Sequence, residues 1–136
     1  MRGFFLCLLI GPTMQTPDTL LTSAIRHYRA GELAAAEEKF RQLLHRQPNH
    51  ILALNILGII CLGSDRFDES IRLIQTALDI KPKDHQALAN LALAKQRVGD
   101  LKAAIHALEK SLSLVPKNVN ALNSLGSLYR DTGNID

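Results

Sequence analysis

Apolar and polar positions recur along this chain at a fixed step of 34 residues. Pro48, Pro82 and Pro116 stand one step apart. Leu20, Leu54, Leu88 and Leu122 share a second register; Leu57, Leu91 and Leu125 share a third, in which Ser23 is the deviant. Ala24, Gly58, Ala92 and Gly126 are always small, as are Ala36, Ser70 and Ala104, while Phe40, Ile74 and Leu108 are always large. Gly31, Gly99 and Gly133 share a register where Asp65 substitutes once, and Leu33, Phe67, Leu101 and Ile135 follow two residues later. No insertion breaks the pattern.

Each period reads as two helices, because the apolar positions within it fall at helical spacing. In the third period the first helix carries Leu88, Leu91 and Lys95, with Ala92 beside them. A turn follows at Val98-Gly99-Asp100: glycine suits the left-handed residue that ends a helix, and Asp100 can cap the next start. The second helix is expected over Leu101–Leu114, with Ala104, Leu108 and Leu112 on one face. Pro116 then prevents continuation, since proline lacks the donor and clashes with the preceding turn. Asp84 and Asn118 are suited to cap the helix after each proline. Small residues are needed where two antiparallel helices come close, so Gly58 and Ala92 are expected to face Ser70 and Ala104. Leu57, Phe67 and Ile74 would fill the space around them. One hairpin cannot bury its apolar face alone, so stability must come from stacking; Leu91→Asp is expected to melt the whole array.

This pattern resembles the tetratricopeptide repeat (TPR) family, whose unit is a helix–turn–helix of about 34 residues with a W-x2-L-G-x2-Y…A-x3-F…P signature. Leu stands where that signature has Trp; the Leu-Gly pair occurs as Leu57-Gly58 and Leu125-Gly126, the Tyr as Tyr129, and the closing Pro three times. The resemblance covers residues 17 to 136. Three full repeats read as 17–50, 51–84 and 85–118, and 119–136 as the first helix of a truncated fourth; residues 1–16 read as a leader. The fold class expected is all-α, a right-handed superhelical array of antiparallel helix pairs.

The resemblance implies a concave face lined by the first helix of each pair. The inward positions would be Asp18, Leu21, Thr22, Ile25 and Tyr28; then Leu52, Asn55, Ile56, Ile59 and Leu62; then Gln86, Ala89, Asn90, Leu93 and Gln96. In the fourth they would be Asn120, Asn123, Ser124, Ser127 and Arg130. Two features stand out: an apolar strip of Leu21, Ile25, Ile56, Ile59 and Leu93, and amides and hydroxyls at Asn55, Asn90, Asn120, Asn123 and Ser124. Amides in a groove can hold an extended peptide by its backbone groups, and apolar neighbours can select side chains. The same strip could instead pack onto the leader or a second copy, with the amides meeting water. Some TPR modules clamp a chaperone's C-terminal carboxylate with Lys, Asn and Arg; at those positions this chain has Leu21, Ile25, Ile56, Gln86 and Asn90, so no such clamp is expected. The asparagine ladder of O-linked GlcNAc transferases is matched by Asn90 alone, with Thr22, Ile56 and Ser124 at the equivalent positions.

Composition narrows the classes further. The apolar residues, 46% of the chain, are mostly Leu, Ile and Ala, and aromatics are 4%, which suits aliphatic helix packing. Sixteen basic and 13 acidic residues leave a charge of +3, but no run of five Lys/Arg occurs, so a nucleic-acid footprint is not expected. Cys7 and Cys61 do not make a disulfide framework, and Cys61 reads as a small buried side chain. No apolar stretch reaches the length of a spanning helix. In the leader, Met1-Arg2-Gly3 precedes seven apolar residues, Phe4 to Ile10, like a minimal signal-peptide core without a good cleavage site. Three readings stand: upstream sequence with translation starting at Met14, an export signal, or a local hydrophobic cap. The chain is expected in the cytoplasm, or in the periplasm or envelope if residues 1–13 are a true signal.

No catalytic constellation is found, and no metal or cofactor is expected. The five histidines, His27, His45, His50, His85 and His106, have no ligand spacing, and His45 and His50 read as an exposed pair around Pro48. There is no phosphate loop and no G-x-S-x-G elbow. Glu37-Glu38 and Asp68-Glu69 are expected in the first turns of second helices, where carboxylates favour the positive helix end. Tyr129 and Ile135 look ready for another helix, which fits a fragment of a longer protein, a truncated form, or end-to-end stacking of copies through 119–136. The function expected is a protein–protein interaction scaffold holding a peptide or protein segment in the concave groove, through Leu21, Ile25, Asn55, Ile56, Ile59, Asn90, Leu93 and Asn123. The alternative is the N-terminal repeat region of a glycosyltransferase, sulfotransferase or methyltransferase.

Overall fold

A computed structural model describes residues 15–133. The expectations for the leader, apart from Gln15 and Thr16, and for Ile135 lie outside the described residues. Every regular element described is an α-helix: α1 Pro17–Arg29, α2 Leu33–Arg46, α3 Ile51–Gly63, α4 Phe67–Ile80, α5 His85–Arg97, α6 Leu101–Leu114 and α7 Val119–Asp131. The chain divides after Pro48 into two compact units.

The helix boundaries follow from local chemistry. Thr16, His50, Asp84 and Asn118, one 34-residue step apart, each cap a helix with a side-chain acceptor. Asp84 Oδ1 accepts from the backbone N–H groups of Gln86 and Ala87 at 3.2 and 3.1 Å. Asn118 Oδ1 accepts from Ala121 N at 3.2 Å. His50 does the same with Nδ1, from Ala53 N at 3.2 Å, which places its ring proton on Nε2. His50 is thus half-buried and structural, not one of an exposed pair; its cap was not read from the sequence. Asp100 caps α6 as expected, accepting from Ala103 N at 3.2 Å. The hairpin turns use left-handed residues: Gly31 at φ 79°, Gly99 at 88°, Gly133 at 79°, and Asp65 at 60° in the same register. Pro48, Pro82 and Pro116 each lie just beyond α2, α4 and α6. Asp68 and Glu69 occupy the first turn of α4, whereas Glu37 and Glu38 fall one turn later in α2, whose first turn is Leu33–Ala36 and holds no acid.

In the first unit α1 packs on α2, with Leu20, Ala24, Ala36, Phe40 and Leu43 buried. Lys39 Nζ donates to Gln15 Oε1 at 3.2 Å, and the Arg46 guanidinium reaches the Gln15 carbonyl, tying the start of the helix pair to its end.

In the second unit α3 pairs with α4, α5 with α6, and α4·α5 and α6·α7 pack as neighbours. A core shared by α4, α5, α6 and α7 includes Ile74, Leu88, Leu91, Ala92, Ala104 and Leu108. The close approach of α3 and α4 is made at Gly58. An added Cβ there would lie 2.6 Å from Ile74 Cγ1, and the buried Ser70 hydroxyl donates to the Gly58 carbonyl at 2.7 Å. Ser70 is therefore more than a small residue: it pins the two helices in register. Ser111 does the same from α6, donating to the His85 carbonyl at 2.7 Å. Cys61 is buried, and its thiol faces Glu69 Oε1 at 3.4 Å.

Candidate functional site

Helical periodicity puts every third or fourth residue of α5 on one side, and in the second unit that side of α5 lies between α3 and α7. There a groove of about 450 Å³ opens, and Ile59, Asn90 and Leu93 all line it. Gln86 and Gln96 extend it along α5; Asn118, Asn120 and Ser124 close it from the start of α7. Ala89, Ala92 and Ala121 keep the floor shallow, with Leu108 beneath. Among the described residues no Asp, Glu, Lys, Arg or His lines this groove. Its chemistry is therefore that of neutral amides and one hydroxyl, each able to donate and accept, set beside aliphatic surface that includes Leu93, 40% exposed.

The other expected site residues lie elsewhere. Leu21 and Ile25 are half-buried on α1, in the first unit. Ile56 is half-buried on α3 and Asn123 is exposed on α7, both outside the groove lining. Asn55 has an internal partner: its Nδ2 donates to Asp84 Oδ2 at 3.4 Å, bracing the residue that caps α5. Asn55 Oδ1 and His85 Nδ1 are buried without a hydrogen-bond partner among the described residues. Asn118 was read only as a cap. Its place in the groove follows from the helix it starts, since a capping residue sits at the mouth of whatever its helix lines.

On the far side of α7 the Tyr129 hydroxyl donates to Glu109 Oε1 on α6 at 2.8 Å. That hydrogen bond, followed by partial desolvation and the carboxylate's charge, raises the phenol above its ordinary value of 10.0. Among the described residues no three His, Cys, Asp or Glu side chains cluster as metal ligands, and no helix is long and apolar enough to cross a membrane.

Comparison with known families decides what kind of protein this is. A tetratricopeptide repeat model matches residues 21–85, and a Tetratricopeptide Repeats-Sensor model matches residues 66–133. The chain belongs to the tetratricopeptide repeat family. The TPR fold is also that of MamA from Desulfovibrio magneticus RS-1, residues 41 to the end, which is 21% identical with a TM-score of 0.85 over 98% of this chain and 84% of that one. The first TPR of Spaghetti (RPAP3), solved bound to an HSP90 peptide, superposes with a TM-score of 0.82 at 15% identity, covering 90% of this chain and 99% of that one. The peroxisomal targeting signal receptor of Saccharomyces cerevisiae is 30% identical over 120 residues, 85% of this TPR chain. The chain spans 20% of that receptor's length.

Proposed function

We propose that this TPR chain is a protein-interaction scaffold that holds an extended polypeptide segment in the α3–α5–α7 groove, chiefly by the segment's backbone. The observation that carries this reading is a lining rich in amides and free of ionisable side chains. An extended chain offers alternating N–H and C=O groups, and amides answer both without regard to side-chain identity. Asn90, Gln86, Gln96 and Asn120 would make these bonds, while Ile59 and Leu93 take an apolar side chain. Leu21 and Ile25, on α1 in the first unit, take no part in this groove. The family fits, since a TPR of the same fold has been solved with a bound peptide.

The test begins with extended peptides selected by display against the intact chain. Asn90→Ala with Asn120→Ala should weaken the selected peptides about thirtyfold, since each neutral hydrogen bond contributes about 1 kcal/mol. Circular dichroism should remain unchanged. N-methylation of single peptide bonds should reproduce the loss at alternate positions. Selected peptides that bind the double variant and the N-methylated series as tightly as the parent pair would refute backbone recognition in this groove.

A further inference from the structure

The opposite side of α5 faces a second cleft, of about 500 Å³, between α4 and α6. Its floor is aliphatic, formed by the outer edges of the core residues Leu78, Leu88, Leu91 and Ala107, each at most 8% exposed. Its rim is cationic. Lys95 and Lys110 line it together with His106. Asp79 is the acid in the lining, and its Oδ1 already accepts from Gln75 Nε2 at 3.1 Å. Among the described residues neither Lys95 nor Lys110 has a carboxylate partner. Lys95 is half-buried, so its stem can lie along the apolar wall while the ammonium stays in water.

An apolar cleft open to solvent gains free energy when a partner's aliphatic side chains displace its water. Unpaired ammonium groups at the rim then select the sign of the neighbours those side chains bring. We propose that this cleft docks an acidic amphipathic segment of a partner protein, with its apolar face on Leu78, Leu88 and Leu91 and its carboxylates against Lys95 and Lys110. Because α5 presents Asn90 and Leu93 to the amide groove and Leu88, Leu91 and Lys95 to this cleft, the two sites use different faces of one helix. The proposal stands whether or not the amide groove binds a peptide.

The probe is a fluorescein-labelled peptide of about four helical turns, with Leu on one face and Glu at the flanks; its counterpart carries Lys for every Glu. Anisotropy titrations use the full chain as wild type, as Lys95→Glu/Lys110→Glu, and as Asn90→Ala/Asn120→Ala. The acidic peptide should bind the wild type and lose about tenfold in affinity in the lysine variant, with steep weakening by salt. The asparagine variant should bind as wild type does, and the Lys peptide should not bind. Equal binding of both peptides, indifference to the lysine double change, or no binding at all would overturn the proposal. So would loss in the asparagine variant alone, which would place the peptide in the amide groove. Retention on phosphatidylserine vesicles without peptide binding would also overturn it, reassigning the cations to a lipid surface.

Discussion

Gly58 and Gly126 occupy the same register two steps apart, yet alanine should act on them with opposite sign. In a helix interior, Gly→Ala stabilises by about 0.5–1 kcal/mol through backbone entropy. At Gly126 nothing lies within 4 Å of an added Cβ, so that gain should appear in full. At Gly58 the new Cβ would sit 2.6 Å from Ile74 Cγ1 and 3.2 Å from its Cδ1. Ile74 is fully buried and cannot swing out, so α3 and α4 must part or Ile74 must leave its rotamer, at about 1–3 kcal/mol. The net expectation for Gly58→Ala is a loss of about 1 kcal/mol, and the gap between the two variants is about 2 kcal/mol. Urea unfolding followed by circular dichroism reads this directly, since slopes of about 1–3 kcal/mol per molar turn that gap into midpoints about 1 M apart. A double-mutant cycle assigns the cause: Ile74→Ala should cost about 1 kcal/mol less in the Gly58→Ala background than alone. Midpoints that move the same way for both glycines, or a cycle with no coupling, would refute the close-approach argument.

Three further outcomes follow from the caps, the turns and α7. Asp65→Gly should raise the thermal midpoint, by about 0.5–1 kcal/mol in stability, because it removes a side chain from the left-handed region at φ 60°; an unchanged or lowered melt counts against it. Asp84→Ala should cost about 1–2 kcal/mol, by removing the α5 cap and the Asn55 partner together; Asp84→Asn, which keeps an acceptor, should recover most of it in the same urea assay. Tyr129 should ionise above 10.0 in ultraviolet titration of a Tyr28→Phe chain, and Glu109→Gln should bring it down. Since the folded chain favours the neutral phenol, the Tyr129–Glu109 contribution is present below 10.0 and is lost as pH rises through the higher folded value; a titration unmoved by Glu109→Gln would remove that bond from the account.

Much of the architecture was legible because it rests on local rules repeated at one spacing. Proline cannot continue a helix, and left-handed turn residues favour glycine, so Pro48, Pro82, Pro116 and the Gly31 register announced where helices end. The α6 limits, Leu101 and Leu114, came from the same signals. Long-range chemistry was less legible. The contact between Asn55 and Asp84 joins residues 29 apart, and no spacing in the sequence predicts that an inward-facing amide turns to brace a cap. His50 was missed as a cap because an imidazole serves there only in one tautomer. Ser70 was read by size alone, whereas its hydroxyl bridges two helices. Asn90, Leu93 and Ile59 met in one groove because each obeys its own helix period. The cationic cleft was invisible because Leu88 and Leu91 carry the pattern of ordinary core residues, and their reach to solvent depends on how α4 and α6 are spaced.

Asn118 has a consequence for how any occupant of the amide groove is held. Its Oδ1 is already fixed by Ala121 N at the start of α7, so its rotamer is set when the chain folds. Gln86 and Asn120 are exposed and must surrender rotational freedom to a guest, at about 0.5–1.5 kcal/mol for each immobilised side chain. Asn118 is spared that loss. Its amide nitrogen is preorganised, and a ligand group aligned with it would dissociate last.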